Sequence, residues 1–159
     1  MTYGGVSLTL AENINSQDVS IWYLDDPVAG DADIVVTLTN NQASRIVALS
    51  LANAADGIGS STSGRDDGIV QLDLDLDTVY PNSLLVGAFV NDAAGISSTP
   101  FDTGVTVVDA TSGSSTMHVG YLTEEDLVNP AATYSWVNDA SDLCSAVLVA
   151  ISPAGEVVA

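Results

Sequence analysis

Lysine is absent from this chain, and two arginines, Arg45 and Arg65, stand against 21 acidic residues, so the formal net charge is −19. A field of this sign repels the phosphates of nucleic acids and the headgroups of anionic membranes. We therefore expect neither nucleic acid nor a membrane among the partners. Two explanations of the acids stay open. One is solubility in a saline medium, where salt screens their mutual repulsion, and the other is a cationic partner or bound divalent ions.

Residues that carry nucleophilic catalysis are equally scarce, because the chain has one cysteine and one histidine. Cys144 lies in the apolar stretch DLCSAVLVAIS, which is typical of a buried strand, and a lone cysteine excludes an intrachain disulfide. His118 alternates with Met117 and Val119 on a predicted strand, which favours a structural histidine over a catalytic base. Paired carboxylates could serve a glycosidase, but in so acidic a chain close pairs arise from abundance alone. We expect the protein not to be an enzyme.

Long apolar runs are also missing, although 47% of the residues are hydrophobic. A membrane-spanning helix needs roughly 18 or more continuous apolar residues, and no run approaches that length. The 159 residues suit one domain with its own core, which we predict to span 1–159. The first residues, MTYGGVSLTL, lack the positive segment and the continuous apolar segment of a signal peptide. We therefore expect the chain to stay in the cytosol where it is made, unless another route releases it.

Apolar residues recur with a period of two between turn signals, which indicates strands rather than helices. Segments rich in Gly, Asn, Asp, Ser and Pro separate them, including DGIGSSTSGRDDG, YPNS and NDASD. The fold class predicted is all-β, an antiparallel β-sandwich or jelly roll of about ten strands. The predicted strands are Val6–Leu10, Val19–Leu24, Asp33–Thr39, Ile46–Ala52, Ile69–Leu76, Leu84–Val90, Val105–Asp109, Thr116–Leu122, Ala131–Val137 and Cys144–Ser152.

The stretch VSIWYLDDPVAG places aromatic and β-branched residues directly before a turn. In the strand Val19–Leu24 both faces are partly apolar, with Ile21 on one and Trp22 on the other. One large aromatic anchor in a sandwich core is common. We therefore predict that Trp22, like Trp136, is a core residue rather than a platform for a ligand.

Several segments, in order along most of the chain, resemble a β-sandwich module found in bacterial surface proteins and phage structural proteins. They are TYGG at Thr2–Gly5, SIWYLDDPVAG at Ser20–Gly30, IVVTLT at Ile34–Thr39, SLLVGAFV at Ser83–Val90 and ATYSWVNDASDLCSAVLVAISP at Ala132–Pro153. The shared features are turn glycines and core aromatics, so the resemblance implies a sandwich fold and no catalytic residues.

This sequence departs from the module at its beginning, since such modules usually carry a strand before the TYGG element. The resemblance therefore implies an exposed sheet edge beside that element, which needs a covering strand. The chain's own tail, GEVVA at Gly155–Ala159, is one candidate for the cover. A strand from another chain is the one we expect, most simply in a homo-oligomer.

The densest acidic pattern is QLDLDLD at 71–77. On a strand, its leucines would point inward while Asp73, Asp75 and Asp77 line the outer face at intervals of about 6.8 Å. The simplest interpretation is a solvated face that discourages edge pairing. The alternative is a weak calcium site, for which GRDDG at Gly64–Gly68 would be the nearest source of further oxygen ligands, although the spacing is not that of an EF-hand loop.

Two functions from different classes follow. The first is a non-enzymatic virion structural protein, such as a capsid decoration protein or a tail component of a phage from a saline environment, made in the host cytoplasm and released in the particle. Its partners would be other virion proteins, such as the major capsid protein, and further copies of itself. The second is an adhesion or carbohydrate-binding module of a larger protein that is extracellular or at the cell surface.

Overall fold

A computed structural model describes residues 1–14, 19–39, 44–76, 83–91, 98–100, 105–112, 115–122 and 132–154. Within these ranges the protein is all-β, and every strand pairing is antiparallel, as predicted. The described strands are β1 (Thr2–Tyr3), β2 (Val6–Ser7), β3 (Thr9–Ile14), β4 (Val19–Tyr23), β5 (Ile34–Val35), β6 (Ser60–Leu76), β7 (Leu84–Asn91), β8 (Ser98–Pro100), β9 (Val105–Ser112), β10 (Ser115–Leu122) and β11 (Ala132–Ile151).

A small sheet with the strand order β2-β1-β5 is formed by the N-terminal residues and β5. Gly4 and Gly5 connect β1 to β2 and have φ angles of 55° and 83°. They form a two-residue hairpin turn that requires positive φ at both positions, which explains why the TYGG element contains two glycines. Because β1 is paired on both sides, the edge expected beside TYGG is covered within the chain. The predicted alternative cover, 155–159, lies outside the described residues.

The main sheet has the order β6-β11-β7-β10-β9, with β8 on one part of β11. Its two longest strands, β6 and β11, run together as a ribbon whose register shifts between Val137 and Cys144. A Cβ added to Gly64 would lie 2.5 Å from Cδ2 of Leu74. Ten extended residues would separate these two positions by about 33 Å. The β6–β11 ribbon therefore folds back, so that its second half covers the first.

The larger buried cluster fills the space between the main sheet and the folded ribbon. Trp136 is 0% exposed and stacks on Phe89 with ring centroids 6.0 Å apart and an interplanar angle of 10°. The leucines of QLDLDLD point inward, as the period of two predicted. The cluster comprises Leu72, Leu74, Leu76, Leu85, Phe89, Leu122, Trp136, Cys144, Ala146, Leu148 and Ala150.

The hairpin β3–β4 covers the opposite face of the main sheet. Val19 joins a second buried cluster with Ala88, Val119 and Val147, and Ile21 packs against it. Ser61 and Ser63 of β6 donate hydrogen bonds to the Glu12 carboxylate, at 2.8 and 3.4 Å. The molecule thus stacks the hairpin, the main sheet and the folded ribbon, which is the layered β architecture that the sequence predicted.

Three local predictions were wrong. Ile46–Ala52 forms no strand, although its alternation is regular, because it is hydrogen-bonded into none of the described sheets. Conversely, the polar segment Ser60–Gly68, predicted to be a loop, belongs to β6, and Asn138–Asp142 belongs to β11. In both polar segments the partner strand, rather than the local composition, imposes the extended conformation.

Trp22 was also predicted incorrectly, since it is only partly buried and belongs to neither buried cluster. Its indole N–H donates a 2.9 Å hydrogen bond to Ser20 Oγ. Ser20 and Trp22 alternate with Val19 and Ile21, whose side chains face the main sheet. Trp22 therefore lies on the outer face of the hairpin. Trp136, by contrast, is confirmed as a core anchor.

Candidate functional site

An apolar groove lies on the face of the main sheet that the β3–β4 hairpin covers only in part. Val47 packs against the second buried cluster, so the chain around it crosses the same face as the hairpin. The residues that follow Val47 border a groove of about 300 Å³. It is lined by Leu49, Ser50, Leu51, Leu84 and Tyr121. We call this the Leu49 groove. The groove combines an aliphatic wall with two hydroxyl-bearing side chains, Ser50 and Tyr121.

Exposed aliphatic side chains are concentrated in the same third of the chain as the groove. Scattered exposed leucines and valines are ordinary on a protein surface, whereas a contiguous apolar patch marks an interaction site. Among the side chains that the structure describes, the large exposed hydrophobics are Val6, Leu10, Val28, Ile34, Val35, Leu38, Ile46, Leu49 and Leu51. All of them precede β6, so the apolar surface and the well-packed main sheet come from different parts of the sequence.

The outer face of the β3–β4 hairpin offers a second, smaller feature. Leu10 lies opposite Trp22 in the register and is exposed. The hydrogen bond from the indole to Ser20 fixes the orientation of the ring. An aromatic ring with a fixed orientation and an accessible face can stack on an apolar ligand surface.

The predicted acidic row is only partly described. Asp73 and Asp75 lie on the exposed face of β6, and Asp77 lies outside the described residues. Ser135 Oγ and Gln71 Nε2 donate hydrogen bonds to Asp73 Oδ1, at 2.6 and 2.7 Å. Because these bonds stabilise the carboxylate, first Ser135 and then Gln71, they lower the pKa of Asp73 below its ordinary value. The network stabilises the fold above the unfolded-state pKa, and the benefit is lost as the pH falls through the lowered one.

Within the described ranges, no group of three or more His, Cys, Asp or Glu side chains is arranged to hold a metal ion. Asp66 and Asp67, the predicted source of further ligands, are exposed on β6, and the Asp67 amide N–H donates to Asp66 Oδ1 at 2.8 Å. The calcium site at Asp73, Asp75 and Asp77 stays a prediction.

The residues best suited to catalysis are buried. His118 is 0% exposed, with its ring centroid 6.2 Å from that of Phe89. Cys144 is 0% exposed in the same cluster as Phe89. A substrate in solvent reaches neither side chain in this conformation. The Leu49 groove could not be predicted from the sequence, because Leu84 and Tyr121 come from distant strands. Its apolar wall belongs to Ile46–Ala52, which was predicted as a strand.

Comparison with known protein-family models, with curated proteins and with solved structures finds no match to this chain. No described helix is long and apolar enough to cross a membrane. The function is therefore inferred from the surface and the charge of the molecule.

Salt should stabilise this protein, because a formal net charge of −19 is carried by only 159 residues. We expect the melting temperature to rise between low ionic strength and about 0.5 M sodium chloride as the repulsion is screened. Each kcal/mol of repulsion relieved raises it by roughly 2–4 °C in a chain of this size. Calorimetry measures the change. A flat or falling melting temperature would contradict the prediction, and adding a chelator would then show whether bound calcium already neutralises the acids.

Proposed function

We propose that the protein is a non-enzymatic structural component of a virion, such as a capsid decoration protein or a tail component of a phage from a saline environment. The observation that carries this proposal is that, among the described side chains, the large exposed hydrophobics all come from the first third of a strongly acidic chain. Exposed aliphatic side chains on a highly charged protein suit attachment to another protein. The partners would be other virion proteins, such as the major capsid protein, and further copies of the chain.

Two further features support a binding role rather than a catalytic one. The chain's only histidine and only cysteine are both fully buried. The resemblance of its TYGG, WYL and SW segments to a module of phage structural proteins points in the same direction. The net charge of −19 disfavours attachment to the packaged genome and favours attachment to protein. The protein would be made in the host cytoplasm and incorporated into the particle.

Purified particles test the proposal. We expect the chain to migrate with intact particles through a density gradient and to be present in a fixed copy number relative to the major capsid protein. Quantitative mass spectrometry of successive gradient fractions measures that ratio. A protein of the same host lysate that is abundant and acidic serves as the control for trapping. If the chain is found only in the soluble fraction, or in a ratio that varies between fractions, the proposal is wrong.

The outer face of the hairpin favours one second candidate, an adhesion or carbohydrate-binding module at the cell surface or outside the cell. Trp22 is partly exposed there, and Ser20 holds its ring in a fixed orientation. Aromatic rings of this kind stack on the apolar face of sugars. Under this alternative, adding glycans should change the tryptophan fluorescence of the wild-type protein. Trp22→Ala, which should remain folded, should abolish the binding.

A further inference from the structure

The segment Ile46–Ala52 has the composition of a strand but pairs with none of the strands that the structure describes. Its sequence, IVALSLA, alternates aliphatic residues as a strand does. The backbone of Ile46–Ala52 takes part in none of the backbone hydrogen bonds that join the described residues. Ile46 is 51% exposed and Leu51 is 44% exposed. Exposed backbone that pairs with no described strand and carries these side chains is a template for pairing with another chain.

The charge distribution indicates what that other chain is. Ile34–Ala55 contains no acidic residue and is the longest such stretch in a chain with 21 acids. Two copies that each carry a net charge of −19 repel one another wherever carboxylates face carboxylates. At this stretch the repulsion is weakest. A cationic partner would instead be drawn to the acidic surface elsewhere.

We propose that two copies of the chain associate by antiparallel pairing of their Ile46–Ser50 segments about a two-fold axis at Ala48. Ala48 is the centre of the segment, and its small, exposed side chain lets the two backbones approach. The backbone N–H and C=O groups of the segment in one copy then pair with those of the same segment in the other copy, which makes the interface isologous. This inference rests on the homo-oligomer named in the proposed function and assigns its surface.

The Leu49 groove gives this pairing an apolar contact. Leu49 and Leu51 line the groove together with Leu84 and Tyr121. Pairing centred on Ala48 places Leu49 of one copy opposite Val47 of the other. The aliphatic rows of the two segments then form one continuous surface beside the main sheets. Burial of this surface stabilises the dimer, and the backbone hydrogen bonds fix its register.

Sedimentation velocity of the isolated protein tests the association. In about 1 M salt, where the Debye length is about 3 Å, we expect a dimer that dissociates on dilution and at low salt. Ile46→Asp and Leu51→Asp should each raise the dissociation constant at least about tenfold, because pairing would bury an unpaired carboxylate. Val28→Asp is the matched control, since Val28 is 78% exposed but lies outside the segment. It should leave the dimer intact.

Disulfide trapping tests the register. The only native cysteine is 0% exposed, so Ala48→Cys introduces the single accessible thiol. Residues on a two-fold axis between antiparallel strands lie about 4.5–5.5 Å apart at Cα, which is within disulfide range. Under mild oxidation with diamide we expect Ala48→Cys to form a covalent dimer and Val28→Cys to stay largely monomeric. Circular dichroism melts confirm that all variants are folded.

Three outcomes would overturn the inference. They are a monomer at every protein and salt concentration, a dimer that withstands both aspartate substitutions, and equal cross-linking of the two cysteine variants. Failure of the particle test alone would not contradict the inferred dimer, because sedimentation and cross-linking use the isolated protein. Conversely, a monomer that still occupies particles in a fixed ratio would support the proposed function and overturn only this inference.

Discussion

Replacing Trp136 with alanine should lower the free energy of unfolding by about 3–5 kcal/mol, as deletion of a large buried aromatic does. Trp136 is 0% exposed and stacks on Phe89 at 6.0 Å. It lies in the half of the ribbon that folds over the main sheet, so the substitution leaves a cavity between two layers. Urea unfolding, followed by far-ultraviolet circular dichroism, measures the change in the midpoint at constant slope.

Trp22 provides the matched comparison, because it is the chain's other tryptophan and lies on the outer face of the hairpin. Trp22→Ala should cost only about 1–2 kcal/mol, since the stabilisation from burial scales with the apolar area removed from water. Equal losses for the two substitutions would contradict the assignment of Trp136 alone to the core. A folded Trp22→Ala protein is also what the glycan experiment requires.

Gly64→Ala should destabilise the protein by about 1–3 kcal/mol, although alanine normally costs less conformational entropy than glycine. The added Cβ would lie 2.5 Å from Leu74 Cδ2. Leu74 is 3% exposed and belongs to the larger cluster, so its side chain cannot move aside without disturbing the packing. The two halves of β6 are in contact at this point, and the new methyl group would force them apart. Thermal and urea unfolding measure the loss.

The double variant with Leu74→Ala identifies the cause of that loss. Leu74→Ala removes the atom that the new methyl group meets, so Gly64→Ala should be harmless, or even favourable, in its presence. The two substitutions should therefore couple rather than add. Additive effects would contradict the fold of β6 back on itself, because residues ten positions apart in a straight strand do not touch.

The proposed pairing segment around Ala48 and the acidic surface have opposite effects on self-association. The carboxylates repel other copies of the chain, and this repulsion is weakest at the acid-free stretch Ile34–Ala55. High salt should strengthen such a contact and the fold together, because both are opposed by the same repulsion. The dimer and the melting temperature should therefore respond to salt in the same direction.

The sequence by itself determined the class of fold and most of the strands. Alternation at Leu72, Leu74 and Leu76 set which face of β6 is buried, because the side-chain period of a strand is two. The paired glycines of TYGG set the first hairpin, since the turn requires positive φ at both positions. The net charge, the single histidine and the single cysteine are also properties of the sequence, and they bounded the function before any contact was known.

Only the tertiary structure decided which segments with β propensity found partners. Ile46–Ala52 has the stronger strand pattern but pairs with none of the described strands, whereas the polar Ser60–Gly68 became half of a long strand because β11 lies beside it. Likewise, the two tryptophans have similar local surroundings in the sequence, but only Trp136 is carried into the core, by the fold of the ribbon. Pairing and layer packing are contacts between distant residues, and their free energy exceeds the local preference of any one segment.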